Sequence, residues 1–385
     1  MTLLRVKLEL GRKSNANYPE NARLDKLLSG ILTGDADSVR ARCAEKSVVP
    51  WQQAMRKAIR TGAELRRRLE LAAAPGDERA ESDFPVFVPL EFLAKMQPGN
   101  PDDPLLRQVL ATTAETKAVP GFSSDPLREQ SFSAQPGLLQ KYQGRVLLVS
   151  TGACAVHCRY CFRRHYPYQS VPKGAAAWRP TVNQIAADPS INEVLLSGGD
   201  PLTLSDLTIE TLCREIAAIP HVRRIRFHTR LPVVIPQRVT TDLVNILQGT
   251  RPTVWMVIHC NHPAELDYHT LAAVGRLVDA GIPVLNQAVL LRGVNDSVEV
   301  LEQLSLQLVD HRVQPYYLHQ LDRVAGAADF EVPLAHGLAL MQQLRTRLPG
   351  YAMPQFVQEQ PEASSKTPLE SAAAPRQPAD VRPEH

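Results

Sequence analysis

Three cysteines fall within the short stretch Cys154-Ala-Val-His-Cys158-Arg-Tyr-Cys161, with three residues in the first gap and two in the second. One loop can therefore wrap a single inorganic centre. Cysteine thiolates are the usual ligands of a four-iron cubane, and three of them leave one iron open. An open metal position is where a reactant binds, the feature that separates catalytic from structural zinc sites. A centre used only for electron transfer would be closed by a fourth cysteine. The same residues also suit tetrahedral zinc completed by His157 or His165, or plain buried thiols.

Other residues with chemical potential fall at regular intervals after the cysteines. Ser197-Gly198-Gly199-Asp200-Pro can bring its backbone close to a polar ligand, and it can equally be an ordinary tight turn. His228-Thr-Arg230, His259-Cys-Asn261 and Gln287 follow. His259 and Asn261 also read as polar groups satisfied inside a core. Near the C-terminus, Glu359-Gln-Pro-Glu-Ala-Ser-Ser-Lys366 is a polar turn presenting one lysine. Read without context, such a lysine is solvated.

The elements that must position these residues alternate. Strand-like runs are expected at Arg145–Ser150, Glu193–Leu196, Arg223–His228, Thr253–His259, Val284–Leu291 and Val313–Tyr317, with helices near Thr181–Asp188, Ser205–Ile219, Thr240–Gln248, Leu266–Ala280 and Ser297–His311. Strand and helix in this rhythm predict a parallel sheet of βα units. Six strands are too few for an eight-stranded barrel, so an open or partial TIM-like barrel is the expected α/β fold. In such barrels chemistry gathers at the C-terminal strand ends, where the cysteines, Gly-Gly-Asp, His228-Thr-Arg230 and His259 all fall.

Residues 1–140 read as a mostly helical N-terminal region with Trp51–Ala73 at helical spacing, a cap or dimer-forming part. Residues 141–350 form the barrel, 351–369 carry the lysine and pack on it, and 370–385 are an Ala/Pro-rich tail expected to be disordered. With 43 basic against 40 acidic residues the net charge is +3, which calls for no nucleic acid. The other cysteines, Cys43, Cys213 and Cys260, are scattered singly, so no disulfide framework is expected and the cytoplasm is the expected compartment. No secretory signal follows Arg5, Lys7, Arg12 and Lys13, and no apolar run is long enough to span a bilayer.

The C-x3-C-x2-C motif resembles that of the radical S-adenosylmethionine (SAM) enzymes. Gly99-Asn-Pro-Asp-Asp-Pro-Leu-Leu-Arg-Gln, Pro136-Gly-Leu-Leu-Gln-Lys-Tyr, Cys154 through Tyr168, Ser197-Gly-Gly-Asp-Pro-Leu, Arg230-Leu-Pro-Val-Val-Ile-Pro, Leu290-Leu-Arg-Gly-Val-Asn-Asp and Ser365-Lys-Thr-Pro-Leu extend it. Together, over roughly residues 95–370, they resemble the pyridoxal 5'-phosphate (PLP)-dependent lysine 2,3-aminomutases, closest to the branch that makes (R)-β-lysine for elongation factor P. The resemblance implies an incomplete (β/α)6 barrel, a [4Fe-4S] cluster on Cys154, Cys158 and Cys161, SAM and PLP.

It also implies roles. Lys366 forms the Schiff base with PLP, as the chemistry of that cofactor requires. Lys141, Tyr142 and Arg145 contact its phosphate, which two cations and a hydroxyl suit. Ser197, Gly198, Gly199, Asp200, His259 and Gln287 lie on the SAM side. Arg163 grips the substrate carboxylate, with Arg164 as the fallback, and Asp322 and Glu359 hold the substrate ε-ammonium. The expected partners are free L-lysine, a reductant such as flavodoxin or ferredoxin, and a ligase that passes the product to elongation factor P. A glutamate-specific relative would need other groups than Asp322 and Glu359, and a zinc-binding protein is the reading from outside the family. No cysteine follows Cys260, so the C-terminal zinc site of larger relatives is not expected; the assembly stays open, with a homodimer as a guess.

Overall fold

The computed structural model describes residues 51–73, 77–172 and 174–370. The basic N-terminal residues 5–13 and the tail after Glu370 lie outside the described residues.

Ten strands form one sheet in strictly sequential order. They are β1 (Ser133–Gln135), β2 (Leu138–Leu139), β3 (Arg145–Thr151), β4 (Glu193–Gly198), β5 (Arg224–Thr229), β6 (Thr253–His259), β7 (Val284–Val289), β8 (Gln314–His319), β9 (Gln355–Gln358) and β10 (Thr367–Pro368). Strands β3 to β9 are mutually parallel, and β1, β2 and β10 add antiparallel edges. All six expected strands are present. The strand-like stretch before Lys366 becomes the seventh parallel strand.

The six crossovers carry helices α1 (Ala175–Ala187), α2 (Asp206–Ala217), α3 (Thr241–Gln248), α4 (Tyr268–Asp279), α5 (Val298–Asp310) and α6 (Leu334–Arg347). Five were expected. Helix α6 was missed because its polar run Gln342-Gln343-Leu-Arg-Thr-Arg blurs the apolar stripe of Leu340, Met341 and Leu344. Four starts are marked by side-chain caps: Ser205, Thr240, Asp267 and Ser297 each accept a backbone N–H from the first turn, worth about 1 kcal/mol apiece.

Sequential order with right-handed crossovers puts every helix on one face of the sheet. The strands show it residue by residue. In β5, Ile225, Phe227 and Thr229 are buried, while Arg224, Arg226 and His228 alternate with them on the other face. In β4 the same rule hides Val194 and Leu196 and leaves Leu195 for the opposite side. That opposite face is the concave wall of a cavity, so this sheet buries an apolar layer under its helices and keeps a polar layer for chemistry.

The described residues between 51 and 132 carry several short helices joined by turns. Trp51–Lys57 and Gly62–Arg68 are separated where Ile59 pairs with Val88 as an isolated bridge. No described helix is long and apolar enough to cross a membrane.

Candidate active site

A cavity of about 640 Å³ opens against the concave sheet face and is lined by Cys154, Cys158 and Cys161 at one end and Lys366, Glu359 and Tyr142 at the other. All sixteen expected site residues line this one space.

The cysteine loop leaves β3 and is clamped from behind. Arg159, fully buried, donates two hydrogen bonds to Glu115 at 2.8 and 2.6 Å and others to the Phe84 and Ala80 carbonyls. Arg164 donates to the same carboxylate at 2.8 Å. The fallback for substrate binding is thus part of the loop's own brace. His157 donates through Nδ1 to Pro85 O at 2.7 Å and stacks on Phe84, while His165 Nε2 meets Ala325 O. These contacts occupy one ring nitrogen of each histidine. Among the described residues no three His, Cys, Asp or Glu side chains stand close enough to hold one metal ion. A cubane, offering a separate iron to each thiol, asks for wider spacing than mononuclear zinc does. Burial pushes the Cys154 thiol well up and Cys161 to about 11, with the neighbouring thiols adding to both. Metal binding here must displace protons.

Gly198 and Gly199 are required by closeness. A Cβ on Gly198 would lie 2.4 Å from Thr151 O, and one on Gly199 2.2 Å from Ala153 O; Gly198 also sits at φ +122°. The Gly199 and Asp200 amides are spent on those same carbonyls at 2.8 and 2.7 Å. A ligand amine at this turn would be met by oxygens such as Ser197 Oγ, not by free amides. The Asp200 carboxylate is also consumed internally: it accepts from Thr229 Oγ1 at 2.6 Å and from the Leu202, Arg230 and Leu231 amides. Asp200 therefore staples the end of β5 to the end of β4.

His259 and Asn261 turn out to be internally satisfied, as the plain reading of each had it. His259 bonds Gln287 O at 2.9 Å through Nδ1 and Tyr160 OH at 2.7 Å through Nε2, and burial lowers its pKa to about 4, leaving it neutral. Asn261 donates to Tyr160 OH and Gln108 Oε1 and accepts from Val289 N. His259 presents its ring rather than a spare nitrogen to the cavity.

At the other end β9 and β10 form a hairpin in which Gln358 pairs with Thr367. That register sets Glu359 opposite Lys366. Lys366 Nζ lies 2.5 Å from Glu359 Oε2, Lys141 Nζ lies 2.5 Å from Oε1, and Tyr142 OH also donates to this carboxylate. Arg145 stacks over Tyr142 at 4.8 Å and makes no ion pair among the described residues. Burial alone would push the Glu359 carboxyl up; Lys366, with hydrogen bonds from Lys141, Lys366 and Tyr142, outweighs it and holds the group at about 2. An anion therefore already sits in the nest expected for a phosphate. The nest fits PLP in charge, and Glu359 is held by it rather than left free for an ammonium.

Asp322 differs from Glu359. Burial, with Glu359 and Glu129 nearby, raises it to about 7 although Lys366 pulls the other way. Arg163 is engaged as well: Nε and Nη2 fork onto Glu129 at 2.8 and 2.6 Å and Nη1 reaches Ser197 Oγ at 3.0 Å. The fork takes a carboxylate here, supplied by the chain. Between the two ends, His228 Nε2 and Arg226 Nε are buried with no partner. Leaving a buried polar atom unpaired costs about 1–3 kcal/mol, so this floor is owed a polar occupant, as a cofactor ring with its substituents would be.

Sequence reasoning missed Glu115, Glu129, Arg226 and His319. The first two lie in turns that carry no periodic signal. Arg226 was detectable as one of the polar residues at every second position of β5, whereas β8 before His319 shows no such alternation.

Residues 148–304 match the Radical SAM superfamily. The chain is similar to the L-lysine 2,3-aminomutase of Escherichia coli (strain K12), with 45% identity over 291 residues that cover 76% of this chain and 85% of that protein. Proteins of the same name from Haemophilus influenzae and Clostridium subterminale are 43% and 37% identical, over 72% and 83% of this chain and 82% and 77% of their own lengths.

Proposed function

Because this chain belongs to the L-lysine 2,3-aminomutase family of radical SAM enzymes, with a [4Fe-4S] cluster, SAM and PLP as its cofactors, we propose that it isomerises free L-lysine to (R)-β-lysine. One observation carries the reading: the three thiols and the Lys366 amine line a single cavity. Separate cavities would have left no route between a cluster and an amino acid held at Lys366.

When bound, the cluster with SAM would supply a 5'-deoxyadenosyl radical, and PLP would supply a π-system able to accept a substrate radical. The chain's own residues do the holding. Cys154, Cys158 and Cys161 would take three irons, with Ser197, Gly198, Gly199 and Gln287 lining the space beside them. Lys366 would hold PLP covalently, and Lys141, Tyr142 and Arg145 would take its phosphate. Lys141 and Tyr142 would exchange the Glu359 carboxylate for the phosphate, freeing Glu359 to turn toward a substrate ammonium beside Asp322. Arg163 would exchange Glu129 for the substrate carboxylate. Asp200 and His259 would act from behind, by fixing the strand ends. Docking both ends of one amino acid between two cofactors at short range is where the protein contributes to the rate.

Two carboxylates near Lys366 favour a cationic side chain over that of glutamate. Use of the product by a ligase for elongation factor P, a flavodoxin or ferredoxin reductant, a cytoplasmic location and a homodimer belong to the same proposal, as does the division at residues 140, 350 and 369. The test is to supply the reduced, cluster-loaded protein with SAM, PLP and isotopically labelled L-lysine or L-glutamate and resolve the products by chiral chromatography. Labelled (R)-β-lysine is expected. Turnover of glutamate and not lysine would sink the assignment.

A further inference from the structure

Behind Cys158 lies a guanidinium that the roles above do not use. Arg230 follows β5 and is 5% exposed; its Nη1 lies 2.7 Å from Cys158 Sγ and 2.9 Å from Tyr160 OH. Its Nη2 donates to Gln108 Oε1 at 2.6 Å and to Glu265 Oε2 at 2.9 Å. Glu265 is wholly buried, and its other oxygen accepts from Asn261 N, His262 N and Gln108 Nε2. Asp200 pins the Arg230 backbone amide, and Phe92 lies 5.2 Å from the guanidinium. The side chain thus has one orientation, and that orientation aims a charged N–H at a cluster sulfur.

We propose that Arg230 is a positioning residue that sets the reduction potential of the cluster. Hydrogen bonds to cluster sulfurs and local charge are among the main determinants of iron–sulfur potentials. When one electron enters from a low-potential donor, no bond forms or breaks and the added charge spreads onto the sulfurs. A donor facing Cys158 Sγ in a dry shell stabilises that reduced form and raises the potential. A buried ion pair held for packing alone is often replaced by apolar residues without loss. This one instead spends an N–H on a metal ligand. The inference rests on the cluster and not on the choice of substrate.

The test uses anaerobically reconstituted full-length protein poised at fixed applied potentials, with the reduced cluster counted by electron paramagnetic resonance. Arg230→Met combined with Glu265→Gln removes the donor without stranding a buried carboxylate. Arg230→Lys keeps a cation for Glu265 but cannot span Glu265 and Cys158 together. In the double variant the reduced-to-oxidised ratio at the wild-type midpoint should fall about tenfold, which is about 59 mV for a one-electron couple. Arg230→Lys should move the same way by less. Iron- and sulfide-replete variants with the wild-type midpoint would overturn the proposal. So would failure of both variants to hold a cluster, which assigns Arg230 to folding of the loop. Wild-type protein that takes up no iron and sulfide would sink the cluster reading itself, before any variant is measured.

Discussion

At the cysteine end of the cavity polar side chains are tied to other parts of the chain, whereas at the Lys366 end they are tied mainly to each other. Arg159, Arg164 and Glu115 lock the loop to residues 80–115, and Arg230, Glu265, Gln108 and Asn261 close its back. Removing an external ligand from that end would leave the wall standing. At the far end Glu359 sits on Lys141, Tyr142 and Lys366, and between the two ends Glu129 sits on Arg163. Those two carboxylates stand where a phosphate and a substrate carboxylate are proposed to bind. One end is a rigid mount, and the other is a set of cations with exchangeable anions.

The sharpest way to break this contrast is to remove one chemical group from each end. Cys158→Ala should abolish cluster absorption and lower turnover by at least about 10³-fold, the scale seen when a member of a reacting unit is lost. Lys366→Ala should lower turnover as much while keeping the cluster spectrum and losing the PLP band. Each variant should leave the other cofactor in place. Loss of both cofactors from either single variant would mean that the two ends are not independent.

The mount can be loosened without touching a ligand. Glu115→Ala leaves two buried guanidinium groups without their carboxylate, and breaking such a pair costs about 3–5 kcal/mol. Thermal unfolding should show a large fall in Tm together with poorer iron retention. Glu362→Ala removes the exposed partner of Arg128 and should cost at most about 0.5 kcal/mol. Equal falls in Tm would erase the distinction between the braced loop and the exposed edge of the hairpin.

The fold was more legible than the site, for a physical reason. Strand burial on the helix side is an apolar signal repeated in every βα unit, so Ile225 and Phe227 announce β5 as Val254, Met256 and Ile258 announce β6. The cysteines were legible because their spacing is local. Which carboxylate meets which cation was not, because Glu129 to Arg163 and Glu359 to Lys141 are contacts across 34 and 218 residues, set by how the sheet curls and by the hairpin register. The Gly-Gly-Asp stretch, expected on the SAM side, has a local role that spacing alone does not reveal. Its glycines admit the cysteine loop's backbone, and its aspartate fixes Arg230.

Asp322 provides a pH test of the exchangeable end. Its carboxyl, raised to about 7 by burial, is neutral below that pH and ionised above it, while Glu359 at about 2 is ionised throughout. A substrate ammonium prefers the ionised form, so kcat/KM for lysine should rise from about pH 6 to about pH 8 and then level. Asp322→Asn should lower kcat/KM at the upper pH by about tenfold and remove the step, since loss of a partner to a charged group costs about 1.5–3 kcal/mol. A step that survives in Asp322→Asn would assign it to another group.

The smallest effect should come from Glu129, and it decides what the carboxylate on Arg163 is doing. If Glu129 competes with the substrate carboxylate for the fork, Glu129→Gln weakens the competitor by removing its charge and leaves Arg163 its Ser197 contact. KM for lysine should then fall by about threefold, a change of roughly 0.6 kcal/mol, with kcat unchanged because the exchange is complete before chemistry. If Glu129 instead holds the guanidinium in the orientation that substrate needs, KM should rise, because a loosened arginine pays its ordering cost at binding. The two roles move the same constant in opposite directions. A rise in KM would therefore transfer Arg163 and Glu129 from the exchangeable set to the rigid mount.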